Sequence, residues 1–157
     1  MMKRLIKIVL IVAVALAAIA QFIRPDLTNP SVVAEQTLEA STAVPAEVGS
    51  ILQRSCNDCH TNATTYPWYS RITPVSWWLK DHIDHGREEL NFSVWNTYET
   101  RRKVRKLEEL CEQVETREMP LPSYTWAHRD APLSDDEIRT LCEWSKAEQN
   151  RLEPSSE

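Results

Sequence analysis

Cys56-Asn57-Asp58-Cys59-His60 is the stretch on which the reading of this chain turns. Two thiols in CxxC spacing with an imidazole directly behind them form the attachment pattern of a c-type haem. In such a site the two thiols add to the vinyl groups of the porphyrin, and the adjacent imidazole is placed on the iron as proximal ligand. The spacing matters because one tight turn must span the macrocycle edge while His60 folds back beneath the iron. The competing reading is half of a zinc site, with Cys56, Cys59 and His60 as three of four tetrahedral ligands. A closed zinc site wants another close Cys or His pair, and none follows. The residues therefore predict one covalent haem c on Cys56 and Cys59, with His60 as a metal ligand.

Upstream, Pro45 followed by Val48, Ile51 and Leu52 predicts a short amphipathic helix that runs into Cys56. The N-terminus carries Lys3, Arg4 and Lys7, then an unbroken apolar run from Ile8 to Ala20, then Gln21-Phe22-Ile23 before Arg24-Pro25. This is the pattern of an export segment. Ala18-Ile19-Ala20 fits a small-x-small cleavage site, whereas Leu5 to Ile23 approaches the ~20 residues that span a bilayer. Phe22 and Ile23 prolong the run past the cleavage site and favour an uncleaved membrane anchor over a removed signal peptide. In both cases the basic flank stays inside, which puts the domain on the periplasmic side of the inner membrane, anchored or, after cleavage, soluble. The expected boundaries are residues 1–25 for this segment, 26–44 for a Thr/Ser/Pro-containing linker, 45–150 for the haem domain and 151–157 for a tail.

Among 157 residues the formal net charge is −5. No basic excess is present to neutralise phosphates, so nucleic acid is not an expected partner. Only 2 Gly stand beside 9 Pro and 6 Trp, a balance suited to helices joined by Pro-fixed loops around a flat apolar ligand. Two glycines also cannot build a phosphate loop, and no nucleophile pairing is visible outside CxxCH, so no catalytic residue is predicted and an electron carrier is favoured over an enzyme. Cys111 and Cys142 form an even remainder, compatible with one disulfide outside the cytosol or with two buried thiols.

Downstream, the aromatic and proline-rich stretch from Asn62 to Trp78 predicts an ordered loop against the haem. Trp77 to His85 reads as helical with Gly86 as its C-cap. Ser93 is a candidate N-cap, and Tyr98–Arg117 shows Val104, Leu107, Cys111 and Val114 on one stripe, the longest helix expected. Its Arg101, Arg102, Lys103, Arg105 and Lys106 read as a solvated face. Met119-Pro120-Leu121-Pro122 stops that helix, a loop runs to Pro132, and Ser134 with Glu137 forms a capping box for a last helix. Met119 is the predicted sixth iron ligand, a thioether held in a Pro-bounded loop. His82 and His85 are the alternative candidates, and with an open distal side either would assist peroxide or gas chemistry; His128, also a candidate, reads as a loop hydrogen-bonding residue. Trp68, Tyr69, Arg71, Trp77 and Arg87, with Trp78, are candidates to hold the haem propionates, since guanidinium forks match carboxylates.

The segments Cys56-Asn57-Asp58-Cys59-His60-Thr61-Asn62, Thr65-Tyr66-Pro67-Trp68-Tyr69-Ser70, Pro74-Val75-Ser76-Trp77-Trp78, His82, Gly86-Arg87, Leu90-Asn91-Phe92-Ser93 and Trp95 resemble the bacterial haem-binding domain family. Met119-Pro120, Tyr124, His128 and the Leu133-Ser134-Asp135-Asp136-Glu137 helix start look like its C-terminal half. Thr61 stands where the family commonly has Ser, a conservative change. The resemblance implies an exported monohaem c-type protein and settles no substrate. The expected architecture is thus all-α, a class I cytochrome c-like domain, with one-electron transfer to a redox partner protein as its function.

Overall fold

A computed structural model describes residues 1–153. Eight α-helices are present among them, with no strand: α1 Met2–Ala20, α2 Leu38–Ser41, α3 Ala46–Ser55, α4 Asn57–His60, α5 Val75–Glu89, α6 Thr100–Glu115, α7 Pro122–Ala127 and α8 Asp135–Leu152. Short 3-10 turns at Ala34–Gln36, Trp68–Arg71 and Phe92–Thr97 link them. The all-α expectation holds. Of the tail expected at 151–157, Arg151 and Leu152 close α8, and the residues from Pro154 onward lie outside the described ones.

The core forms where α6 packs along α8 and α8 meets α3. Leu107, Leu110 and Val114 of α6 face Ile138, Leu141 and Trp144 of α8, with Val48, Ile51 and Leu52 closing the third side. Ser145 is fully buried and donates to the Leu107 carbonyl at 2.5 Å, a small residue that lets the two backbones approach. Cys111 and Cys142 are joined in a disulfide with Cα atoms 4.9 Å apart, so the bridge is the correct one of the two sequence readings. It closes a loop with a sequence separation of 31. Replacing both cysteines by serine is expected to lower unfolding free energy by about 3 to 4 kcal/mol on the loop-closure model. Urea denaturation of the full chain measures this, and an unchanged midpoint would contradict it.

The capping box on α8 is formed: the Ser134 hydroxyl accepts from the Glu137 N–H at 3.3 Å, and the Glu137 carboxylate accepts from the Ser134 N–H at 2.8 Å. Other boundaries differ from the sequence reading. α5 runs through Gly86 to Glu89, so Gly86 is not a cap. Ser93 does not start α6; it sits in the Phe92–Thr97 turn, which Asn91 caps by accepting from the Ser93 N–H. With 16 residues α6 is shorter than α8, with 18. α7 lies inside the stretch read as loop, with Pro122 in its first turn as a proline prefers.

At the N-terminus, α1 has 19 residues and none of them is buried. Among the described residues no helix is long and apolar enough to cross a membrane. Lys3, Arg4 and Lys7 interrupt its first two turns, leaving Ile8–Ala20 uninterrupted. That run gives about 20 Å of helix at 1.5 Å per residue, against a ~30 Å hydrocarbon core. The expected spanning anchor therefore lacks structural support. Residues 26–44, expected as a linker, lie against the domain. Leu38 is buried in the core, the Thr42 hydroxyl bonds the Glu148 carboxylate at 3.1 Å, and Asn96 donates to the Glu35 carbonyl at 2.8 Å.

Candidate functional site

α3 ends at Ser55, and the backbone bends at Cys56 (φ −128°, ψ −41°) into the single turn of α4. That bend presents Cys56, Cys59 and His60 together to one cleft. The cleft has two lobes, of about 310 and 390 Å³, within the range of ligand pockets. Cys56, His60, Glu89 and Met119 line both. The first lobe continues along α5 past His82, His85 and Gly86 to Leu121 and Tyr124. The second runs under Leu90 and Phe92 to Leu110 and Val114 of α6.

His60 is oriented by backbone. Its Nδ1–H donates to the carbonyls of Gly86 and Leu90, each at 2.9 Å. Two carbonyls at Nδ1 fix the tautomer and leave Nε2 with a free lone pair, the form a metal-binding histidine adopts. Burial, outweighing the two hydrogen bonds, holds His60 below its ordinary pKa and so neutral. The Phe92 ring packs beside it, centroids 6.4 Å apart.

Gly86 explains how α4 and α5 come this close. A Cβ there would stand 2.9 Å from the Cys59 carbonyl oxygen and 3.2 Å from the Cys59 Cβ. The two thiols are free; burial pushes Cys56 up to about 12 and Cys59 up to about 11, so both are uncharged. The turn between them is pinned outside the cleft. The Asp58 carboxylate accepts from the Tyr124 hydroxyl at 2.9 Å and from the Thr65 N–H at 3.1 Å. Tyr124, stacked on His128 with centroids 4.0 Å apart, has its pKa raised by burial and by Asp58.

Two separated sequence blocks turn out to be one buried network. Arg87 donates through Nε to the Thr61 carbonyl at 2.8 Å and through one terminal nitrogen to Asn29 and Thr64. The Asn91 amide donates to the Asn62 side-chain oxygen at 2.8 Å, and the Asn62 N–H donates to the Ser93 hydroxyl at 2.9 Å. Buried amides and hydroxyls that satisfy each other in this way fix a unique geometry. The segment after CxxCH is thus locked to the segment after α5, and Trp95, 1% exposed, anchors the latter in the core.

The sequence-predicted residues divide in two. Cys56, Cys59, His60, Met119, His82 and His85 share the cleft. His82 and His85 each donate Nδ1–H to a carbonyl one turn back, at 2.8 Å. Trp68, Tyr69, Arg71, Trp77 and Arg87 do not line it. Arg87 is committed to the backbone behind the motif, Trp77 donates to the Ile23 carbonyl at 2.8 Å, Trp68 packs edge-on against Tyr69, and Arg71 is exposed. Trp78 packs at a tilt against His82, centroids 4.3 Å apart. His128 bonds the Tyr124 carbonyl at 3.1 Å, as a hydrogen-bonding histidine.

Sequence reasoning missed Lys106. Its side chain is 6% exposed at the second lobe, paired with Glu89 at 3.0 Å and Glu109 at 2.6 Å, so it is not part of a solvated face. Burial opposes its charge, but the two carboxylates prevail and raise its pKa. The only sequence signal was a lysine one residue from Leu107 on the apolar stripe.

Among the described residues, the trio of metal-ligand types that converges is Cys111, Glu115 and Cys142, and two of those are sealed in the disulfide. The cleft has instead the features a haem requires: an apolar slot, a nitrogen with a fixed free lone pair, and two free thiols one turn apart. An all-helical domain with this slot defines a class of small haem binders. A model of the haem-binding domain family matches residues 15–147, and the chain belongs to that family. No curated protein and no solved structure matches it.

Proposed function

We propose that this haem-binding protein holds one haem c covalently, on the periplasmic side of the inner membrane, and passes single electrons to a protein partner. The observation that carries the reading is the convergence of Cys56, Cys59, a backbone-fixed His60 and Met119 on one apolar cleft. Cys56 and Cys59 would hold the haem through thioethers, each thiol's S–H adding across one vinyl C=C with no net oxidation. The iron, once bound, supplies a one-electron couple whose potential its axial ligands set. His60, with Nδ1 committed to two carbonyls, would give Nε2 to the iron. Met119, which lines both lobes and packs against the core, would offer its thioether as sixth ligand. The helical architecture and CxxCH placement suit a class I cytochrome c-like domain, and the apolar part of the lining would limit water at the metal.

Met119→Ala is expected to open the distal face. The variant binds carbon monoxide, loses the weak near-infrared band of sulfur on ferric haem, and drops in potential by a fraction of the ~0.8 V that axial ligation spans. Absorption spectra with and without carbon monoxide check this. A second reading has its own support, since His82 and His85 line the first lobe with His60: a haem enzyme or gas sensor with an open distal side. Ready carbon monoxide binding by the wild-type protein would favour it.

A further inference from the structure

The chain leaves α1 without slack. Gln21 grips Thr73 twice, its amide donating to the Thr73 carbonyl at 2.9 Å and its oxygen accepting from the Thr73 N–H at 3.1 Å. Trp77 donates to the Ile23 carbonyl at 2.8 Å, and Arg24 donates back to the Gln21 carbonyl at 2.9 Å. The foot of the apolar helix is therefore docked on the start of α5. The start of α5, and the Trp68–Arg71 turn that packs against α5, expose large apolar side chains: Trp68 at 77%, Trp78 at 46%, Ile72 at 43% and Trp77 at 42%. Trp77 and Trp78 straddle the side of α5 opposite its buried residues, Ser76 and Ile83. Phe22 and Ile23, at 89% and 62%, continue the same surface into α1.

We infer that this aromatic face seats on the surface of a lipid bilayer, with its indoles at head-group level. Three observations select lipid as the occupant. The face is continuous with a helix that is apolar all round, and such a helix is buried in a core or in lipid. The Ile8–Ala20 run gives only about 20 Å, short of a ~30 Å hydrocarbon core, and the aromatic collar extends the apolar surface beyond its end. Tryptophan is also the residue enriched at membrane–water interfaces, where its ring is buried and its N–H stays polar. Arg24 and Arg71, both exposed, flank the collar as partners for anionic head groups; Asp26 lies two residues past Arg24, and Asp81 and Asp84 lie beyond Trp78. The inference rests on residues 1–25 staying attached at a membrane. It adds that the domain lies on the bilayer in one orientation, with the His82 end of the cleft beside the lipid, because Trp78 packs against His82.

Trp126 supplies an internal standard, since at 76% it is as exposed as Trp68 but stands on α7. The full chain is reconstituted in vesicles of phosphatidylethanolamine and phosphatidylglycerol, floated, and subjected to hydroxyl-radical oxidation, with modification at each tryptophan read by mass spectrometry. Trp68 should be oxidised several-fold more slowly than Trp126, and adding detergent should make the two equal. Equal rates in protein that floats with the vesicles would overturn the lipid-facing surface while leaving the membrane attachment standing. Protein that does not float would overturn both. Protection of Trp68 that fades as protein is diluted at constant lipid would assign the face to a second copy of the chain and overturn the proposal.

Discussion

Exported protein carrying Cys56→Ala or Cys59→Ala is expected to lose most of its acid-resistant haem, and the double variant all of it. Each thiol can form one thioether, and the bend at Cys56 with the single turn of α4 sets both against the same cleft. A single remaining bond leaves the porphyrin free to pivot about one edge. Because both thiols are half-buried, alanine removes only a sulfur atom from each and leaves the turn held by Asp58, Tyr124 and Thr65. A far-ultraviolet dichroism spectrum should therefore keep its helical shape while the haem is lost. His60→Ala should lose iron coordination more completely, since nothing else in the cleft has its nitrogen fixed by two carbonyls. Haem staining of denatured protein separates these cases, and full staining in all of them would refute covalent attachment through this motif.

Gly86→Ala is expected to be strongly destabilising, against the usual sign. In a helix interior this change ordinarily stabilises by about 1 kcal/mol. Gly49→Ala in α3 should do so, because its new Cβ meets only Val44 Cγ1 at an ordinary 3.8 Å. At Gly86 the new atom lies 2.9 Å from a backbone carbonyl, which has no rotamer to escape into. Overpacking of this kind costs about 1–3 kcal/mol, so α4 and α5 must separate. The separation also pulls the Gly86 carbonyl from His60 Nδ1, so the variant should take up haem poorly as well as melt earlier. Thermal melts of the two variants side by side test it, with opposite shifts expected.

These residues show what could be read before the structure. CxxCH pointed to haem because its chemistry is carried by side chains at fixed spacing, and the family match supports haem binding. The α8 capping box and the Cys111–Cys142 bridge were legible for the same reason, each being a local or helical-face pattern. Gly86 was misread as a cap, since its use is an interhelical approach and not a local dihedral. The carbonyls of Gly86 and Leu90 that orient His60 leave no trace in residue type at all. Residues 26–44 read as linker because a polar segment that covers a core through scattered bonds has no period. Arg87 and the tryptophans were assigned to the haem on chemistry that suited it, whereas Arg87 holds the backbone behind the motif, Trp77 bonds the chain just after α1, and Trp68 lies outside the cleft. The family to which the chain belongs had been visible in its motif blocks. What those blocks do, docking residues 61–62 onto 87–93, needed coordinates.

The central claim is covalent attachment of one haem at the cleft shared by Cys56, Cys59 and His60, and the intact mass of exported, fully denatured protein tests it most directly. The account predicts the polypeptide plus one haem, with the added mass confined on digestion to the peptide that contains Cys56 and Cys59. A polypeptide mass alone, from protein that was coloured before denaturation, would contradict it.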